Sequence, residues 1–144
     1  MNICQHVNIS GEEVLQWLIE CDEKLCPPKW SEKRLRMYAE KLSQNAYFTL
    51  GYEHDSKIGF IAYYLNTEGR FAYITITAIT PLERGKGHAS ALFNNFFENL
   101  SADMEYVSLE VSKNNTSAMN LYVKFGFILD ADNGEKLLMK KILR

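Results

Sequence analysis

The sequence predicts an α/β domain built on a mixed β-sheet with helices packed against it. Three strand-like segments, Ala46–Glu53, Lys57–Asn66 and Phe71–Ile79, are joined by short turn-like links, which favours an antiparallel meander. A helical stretch then separates Ile79 from the next strand at Tyr106. Such a strand–helix–strand step is typical of a parallel, right-handed crossover.

The segment before the meander predicts one short strand, Asn2–Val7, and two helices. Ser10 and Glu13 have the spacing of a capping box, and the helix that follows is expected to end at the Pro27-Pro28 pair. Ser31 is expected to cap the second helix. The apolar positions with helical spacing are Val14, Trp17, Leu18 and Cys21 in the first helix, and Leu35, Tyr38, Ala39 and Leu42 in the second.

The segment after the meander alternates between helix and strand. Apolar residues between Ala89 and Leu100 repeat at helical spacing, and Tyr106–Ser112 alternates as a strand. A second apolar helical stripe runs from residue 118 to 125 and ends at a glycine. Two last strands, Phe127–Leu129 and Leu137–Leu143, are predicted around an Asp-Asn-Gly turn.

Composition narrows the range of functions. The 144 residues, of which 47% are hydrophobic, fit a single domain over residues 1–144. A net charge of -2 favours neither nucleic acid nor an anionic membrane as partner, and no segment is long enough for a membrane span. Cys4, Cys21 and Cys26 match no metal or redox spacing, so we expect reduced thiols in a cytoplasmic protein without a metal.

A basic, glycine-rich corner, residues 84–89, precedes the third predicted helix in the stretch PLERGKGHASALF. Helix N-termini present unpaired N–H groups and partial positive charge, and glycines let a ligand approach the backbone. The corner therefore predicts a pyrophosphate site. Taken alone, these six residues fit a polar loop equally well. Its residues are Arg84, Gly85, Lys86, Gly87, His88 and Ala89.

A dinucleotide site is a weaker alternative for the same corner. Gly85 and Gly87 can begin such a motif, and Glu105 lies at about the spacing of a ribose contact. Ser90, however, replaces the last small residue, and the corner is followed by only one further helix.

Two motifs together resemble the GNAT acetyltransferases, which use acetyl-CoA. Arg84, Gly87 and Ala89 match the family's pyrophosphate signature, and SLEVSKNNTSAMNLYVKFGF resembles its second conserved pattern. The predicted order of elements also resembles the GNAT fold. The resemblance covers nearly the whole chain and is weakest before Ala46.

The resemblance implies roles for individual residues. Tyr122 occupies the place of the family's general acid, although its position on an apolar stripe also fits a core aromatic. Glu110 occupies the place of a base in some members, whereas others use a water chain or a different acid. It could equally be a solvated strand residue. Asn115 resembles a residue that contacts the cosubstrate, and it also fits a simple helix cap. The backbone of Thr77, Ala78 and Ile79 would pair with the pantetheine arm. In the corner, Lys86 would contact phosphate or remain solvated, and His88 serves as a spacer.

The resemblance predicts transfer of an acetyl group from acetyl-CoA to a primary amine. A small-molecule amine is preferred as acceptor, with a protein N-terminus as the alternative. Trp30 would either wall the acceptor pocket or pin the second helix. A protein that binds acyl-CoA without catalysis is the competing class, and a homodimer is compatible with the sequence.

Overall fold

The structure is a computed structural model that describes residues 1–6, 8–21 and 31–143. The expectations about Val7, Cys26, the Pro27-Pro28 helix end and Trp30 lie outside these residues. Contacts divide the chain into two compact units, which are described separately. Unit 1 comprises Met1–Tyr63 and Ile76–Asn99, and unit 2 comprises Tyr64–Thr75 and Leu100–Arg144. The single domain over residues 1–144 stays a prediction.

The described residues form the predicted mixed sheet. The strands are β1 (Asn2–His6), β2 (Tyr47–Glu53), β3 (Ser56–Asn66), β4 (Phe71–Ile79), β5 (Tyr106–Ser112), β6 (Ile128–Asp132) and β7 (Lys136–Ile142). The helices are α1 (Gly11–Cys21), α2 (Glu32–Asn45), α3 (His88–Asn99) and α4 (Thr116–Lys124). The strand order is β1-β2-β3-β4-β5-β7-β6. The β4–β5 pair is parallel, while β1–β2, β2–β3, β5–β7 and β6–β7 are antiparallel. The predicted fold class is confirmed.

Serine side chains begin both N-terminal helices, as the capping patterns predict. Ser10 Oγ accepts a hydrogen bond from the Glu13 N–H, and Ser31 Oγ accepts one from the Arg34 N–H, each at 3.2 Å. These bonds satisfy N–H groups that have no partner within the helix itself.

The last strand pair differs from the prediction at its boundaries. β6 was expected over Phe127–Leu129, yet it runs over Ile128–Asp132. A register shift between Leu129 and Ala131 lets the pairing with β7 continue into the turn. Pairing to a neighbouring strand therefore outweighs the low strand propensity of the aspartates in this segment.

Aromatic side chains hold helices on both faces of the β2–β3 pair in unit 1. On one face, the Trp17 ring of α1 lies 5.7 Å from that of Phe48 and 5.5 Å from that of Phe60. On the other face, Tyr63 meets Phe96 of α3 edge-on at 4.8 Å. Residues alternate between the faces of a strand, so one pair of strands can anchor α1 and α3 at once.

Unit 2 contains the parallel ladder, which joins Phe71–Ile74 of β4 to Tyr106–Leu109 of β5. The rings of Phe71 and Tyr106 stack at 4.9 Å with an interplanar angle of 7°. The Lys140 ammonium of β7 lies 4.0 Å from the Tyr106 ring centroid. Three neighbouring strands are thus tied together across one face.

We expect Gly59→Ala to lower the free energy of unfolding by about 1–3 kcal/mol. The added Cβ would lie 2.4 Å from the Ala78 carbonyl oxygen, and a backbone atom of a packed strand cannot easily move aside. Chemical denaturation measures the change. Ser56→Ala, at the exposed start of β3, should change stability by no more than about 0.5 kcal/mol. If Gly59→Ala lowers the free energy of unfolding no more than Ser56→Ala does, the close approach of the two strands is contradicted.

Candidate functional site

The glycine corner connects β4 to α3 in unit 1. After β4, the Thr80 N–H donates to the Ile58 carbonyl at 2.8 Å, and a short 3-10 turn spans Pro81–Glu83. Gly85 and Gly87 follow with φ angles of +76° and +82°, which side-chain-bearing residues rarely adopt. Apart from the adjoining residues of the chain, no heavy atom of the described residues lies within 4 Å of the Cβ position of either glycine. The backbone is therefore open on the side that a side chain would otherwise fill.

The helix start within the corner leaves backbone donors available. Ala91 N–H donates to the Gly87 carbonyl at 3.2 Å. The preceding N–H groups of His88 and Ala89 have no acceptor in an earlier helical turn, as at any helix N-terminus. Together with the partial positive charge of α3, they favour an anionic group at this position.

Glu83 organises the charges of the corner, and sequence reasoning missed it. Its carboxylate pairs with Lys86 Nζ at 3.1 Å and lies 3.5 Å from His88 Nε2. The hydrogen bond from Lys86 is the main reason that the pKa of Glu83 is lowered. Lys86 and His88 are therefore already engaged by a carboxylate, a partnership that the i, i+3 spacing of Glu83 and Lys86 could have suggested.

The Arg84 side chain is directed toward the end of β4. Its Nε donates to the Ile79 carbonyl at 3.2 Å, which links the corner to the Thr77–Ile79 segment. Residues 75–79 lie beyond Ile74, the last β4 residue paired in the β5 ladder. The structure thus brings together two predicted groups, the corner and the strand end.

Thr77 carries an unsatisfied polar group. Its Oγ1 atom is buried and has no hydrogen-bond partner among the described residues. A buried hydroxyl of this kind is uncommon, because leaving it unpaired costs free energy.

Glu110 is exposed in unit 2, on the β5 face that it shares with Ser108 and Ser112. It pairs across the ladder with Leu138 of β7 and makes no ion pair with a described residue. Tyr73 of β4 belongs to the same face, since it is in register with Ser108. Burial, and then the charge of Glu110, raise the pKa of the Tyr73 hydroxyl. Sequence reasoning missed this tyrosine, because only the parallel register places it beside β5.

Asn115 and Tyr122 both belong to α4. Asn115 Oδ1 accepts a hydrogen bond from the Ala118 N–H at 3.1 Å, so the predicted helix cap is present. Tyr122 is 7% exposed, and its ring centroid lies 5.8 Å from that of Phe127. The ring is thus part of the core of unit 2, as its stripe position indicated. Packing of the ring is compatible with a chemical role for the hydroxyl.

Within residues 1–6, 8–21 and 31–143, no group of three or more metal-ligating side chains occurs. None of the helices described there has the length and apolarity of a membrane span. Glu105, the candidate ribose contact of a dinucleotide site, lies 3.6 Å from Arg70 in unit 2.

Comparison with known proteins points to one family. Residues 11–127 match the family model described as the acetyltransferase (GNAT) family. No curated protein matches the sequence.

Solved structures show the same fold. PaiA N-acetyltransferase from Thermoplasma acidophilum, in complex with coenzyme A, is 16% identical with a TM-score of 0.74 over 99% of both chains. A spermidine N-acetyltransferase SpeG chimera from Vibrio cholerae and hSSAT is 19% identical, with a TM-score of 0.72 over 99% of this chain and 96% of that one. Arabidopsis thaliana NAA60, in complex with a bisubstrate analogue, is 18% identical with a TM-score of 0.69 over 98% of both chains.

Proposed function

Because this chain belongs to the GNAT family of acetyltransferases, we propose that it transfers the acetyl group of acetyl-CoA to a primary amine by direct attack. The observation that carries the proposal is the pair of open, positive-φ glycines at the start of α3. Acetyl-CoA is the cosubstrate of the family, and its diphosphate is the group that such a corner is suited to hold.

The residues of unit 1 fit this cosubstrate. We assign the diphosphate to the backbone of residues 84–89, where a helix N-terminus supplies N–H donors. The pantetheine arm would pair with the backbone of Thr77, Ala78 and Ile79, as an added strand does. The register of the β4–β5 ladder supports this assignment, because its last pair joins Ile74 to Leu109 and Thr77–Ile79 lie beyond it.

The transfer makes a C–N bond and breaks a C–S bond. The amine nitrogen attacks the thioester carbonyl, and the tetrahedral intermediate then expels the thiolate of CoA. A free thiol titrates near ~8.5, so a nearby acid assists its departure. We assign this acid to Tyr122, because a phenol O–H can donate a proton. Its packed ring supports the role, because a general acid must be held in place.

The attacking amine must lose a proton, since an alkyl ammonium titrates near ~10. We assign Glu110 as the group that accepts it. Its exposed carboxylate is not paired with any described cation, so it is available to an incoming ammonium.

A non-catalytic acyl-CoA-binding protein is the competing function, and a protein N-terminus is the alternative acceptor. Cytoplasmic location and a homodimer stay predictions.

We expect Gly87→Ala to weaken CoA binding about tenfold or more, because the new methyl group occupies the open side of the corner. Gly134→Ala is a matched control: Gly134 also has positive φ, +92°, and open space at its Cβ position. Both substitutions should cost about 1–2 kcal/mol of stability through backbone strain. Isothermal titration with CoA and with NAD measures binding. Equal CoA affinity in the two variants, or tight binding of NAD alone, would contradict the assignment.

We expect Tyr122→Phe to lower kcat by about 10² to 10⁴, because the leaving thiolate loses its proton donor while the packed ring remains. The KM for acetyl-CoA should stay nearly constant. Release of CoA thiol under saturating acceptor measures the effect. Tyr52 is a half-buried tyrosine of β2, so Tyr52→Phe is the matched control and should retain the wild-type kcat. If Tyr122→Phe reduces thermal stability and leaves kcat unchanged, the hydroxyl is structural only.

We expect Glu110→Gln to lower kcat at neutral pH, again by about 10² or more, because the ammonium then has no proton acceptor. The loss should shrink as the pH approaches ~10, where the amine deprotonates in solution. Thiol release between pH 7 and pH 10 measures this. Glu98→Gln serves as the control, because it makes the same change at an exposed carboxylate on α3. A deficit that stays constant across the range would assign the proton to another group.

A further inference from the structure

Unit 2 contains a surface cavity of about 500 Å³ that the assignments above do not use. It lies where β3 ends and β4 begins, and it is lined by Tyr64, Leu65, Asn66, Thr67, Glu68, Phe71 and Tyr73. Cavities that bind small molecules have volumes of about 300–1,000 Å³. A larger hollow of about 770 Å³ lies along α2 in unit 1, but its lining comes from the side chains of that helix alone.

Aromatic rings form the walls of the smaller cavity. Tyr64, Phe71 and Tyr73 contribute three rings to a lining of seven residues. The Phe71 ring is held by its parallel stack on Tyr106, which lies beneath the Lys140 ammonium. A ring fixed in this way loses little conformational freedom when a ligand packs against it. The wall therefore favours a flat or bulky apolar group over a flexible chain.

The charge of the cavity favours a cation. Its lining has one carboxylate, Glu68, and no lysine, arginine or histidine. Glu68 makes no ion pair with a described residue, whereas the neighbouring Arg70 pairs with Glu105 at 3.6 Å. Aromatic faces add attraction for a cation through their quadrupoles. An anionic ligand would have no partner in this lining.

Tyr73 connects the cavity to the strand face that carries Glu110, the carboxylate assigned as the proton acceptor. Tyr73 lines the cavity and is in register with Ser108 of β5, and Glu110 follows two residues later on the same face. The charge of Glu110 contributes to the raised pKa of the Tyr73 hydroxyl, after burial, so that the two groups lie within electrostatic range. A molecule seated in the cavity can thus extend an amine toward Glu110.

We propose that this cavity binds the acceptor, and that the acceptor is a small monoamine carrying an aromatic ring. The ring packs against Phe71 and Tyr73, and the single amine extends toward Glu110. Glu68 makes the lining attractive to that cation as it enters the cavity. A polyamine would require a series of carboxylates, whereas Glu68 is the only one in the lining. The inference rests on the proposed acetyl transfer and specifies its substrate class.

An acceptor panel tests the proposal. The probes are 2-phenylethylamine, 2-cyclohexylethylamine, n-butylamine, spermidine and a short peptide with a free N-terminus, each followed by CoA thiol release with acetyl-CoA. We expect 2-phenylethylamine to show the highest kcat/KM, because only its ring can stack on the aromatic walls. A higher kcat/KM for spermidine or for the peptide would overturn the proposal.

Two variants locate the effect in the cavity. Phe71→Leu should raise the KM for 2-phenylethylamine about threefold to tenfold, the size expected when a ring–ring contact is lost, and leave n-butylamine nearly unchanged. Glu68→Gln should raise the KM for every cationic acceptor about twofold to fivefold, as for other exposed charge pairs. Phe97→Leu and Glu98→Gln on α3, outside the cavity lining, are the matched controls. Unchanged KM values in both cavity variants would overturn the proposal.

Direct binding separates this inference from the proposed transfer. If no amine is acetylated, titration of 2-phenylethylamine followed by tyrosine fluorescence still reports on the cavity. Binding that Phe71→Leu weakens, without any turnover, would support the cavity and contradict the transferase. Acetylation of several amines with no preference for an aromatic ring would support the transferase and contradict the proposed acceptor. Thermal unfolding of each variant shows whether it remains folded.

Discussion

The close approach of β3 to β4 at Gly59 is the constraint on which the candidate donor site depends. A Cβ at residue 59 would lie 2.4 Å from the Ala78 carbonyl oxygen, so only glycine allows the two strands this spacing. The approach fixes the end of β4, and the bond from the Thr80 N–H to the Ile58 carbonyl holds the chain as it leaves the strand. The glycine corner therefore begins from a rigid backbone position.

Charge is distributed differently in the two units. In the corner of unit 1, Glu83 engages Lys86 and His88, so the proposed diphosphate site relies on backbone N–H groups more than on the lysine. In unit 2, Glu68 and Glu110 have no cationic partner among the described residues. The proposed assignments of the diphosphate to unit 1 and of the amine to unit 2 follow from this difference in charge.

The elements that the sequence predicted well are those whose periodicity and caps agree. Ser31 caps α2 as its position before the apolar stripe indicated, and the apolar residues of α3 face the core at Leu92, Phe93 and Phe96. The hairpin at the end of the chain was predicted less well, because its extent depends on pairing across a register shift. Tyr122 shows the limit of such patterns, since periodicity places its ring in the core without locating its hydroxyl.

The fold class, the family and the position of the glycine corner could all be predicted from the sequence. Each depends on local order along the chain: periodicity, glycine spacing and the succession of elements. The folded chain was needed to reveal the unsatisfied Thr77 hydroxyl and the cavity beside Tyr73. These depend on side-chain direction and on strand register. Four residue pairs join β4 to β5, and the two members of each pair are more than thirty positions apart in the sequence. No local pattern could therefore place Tyr73 and Glu110 on one face.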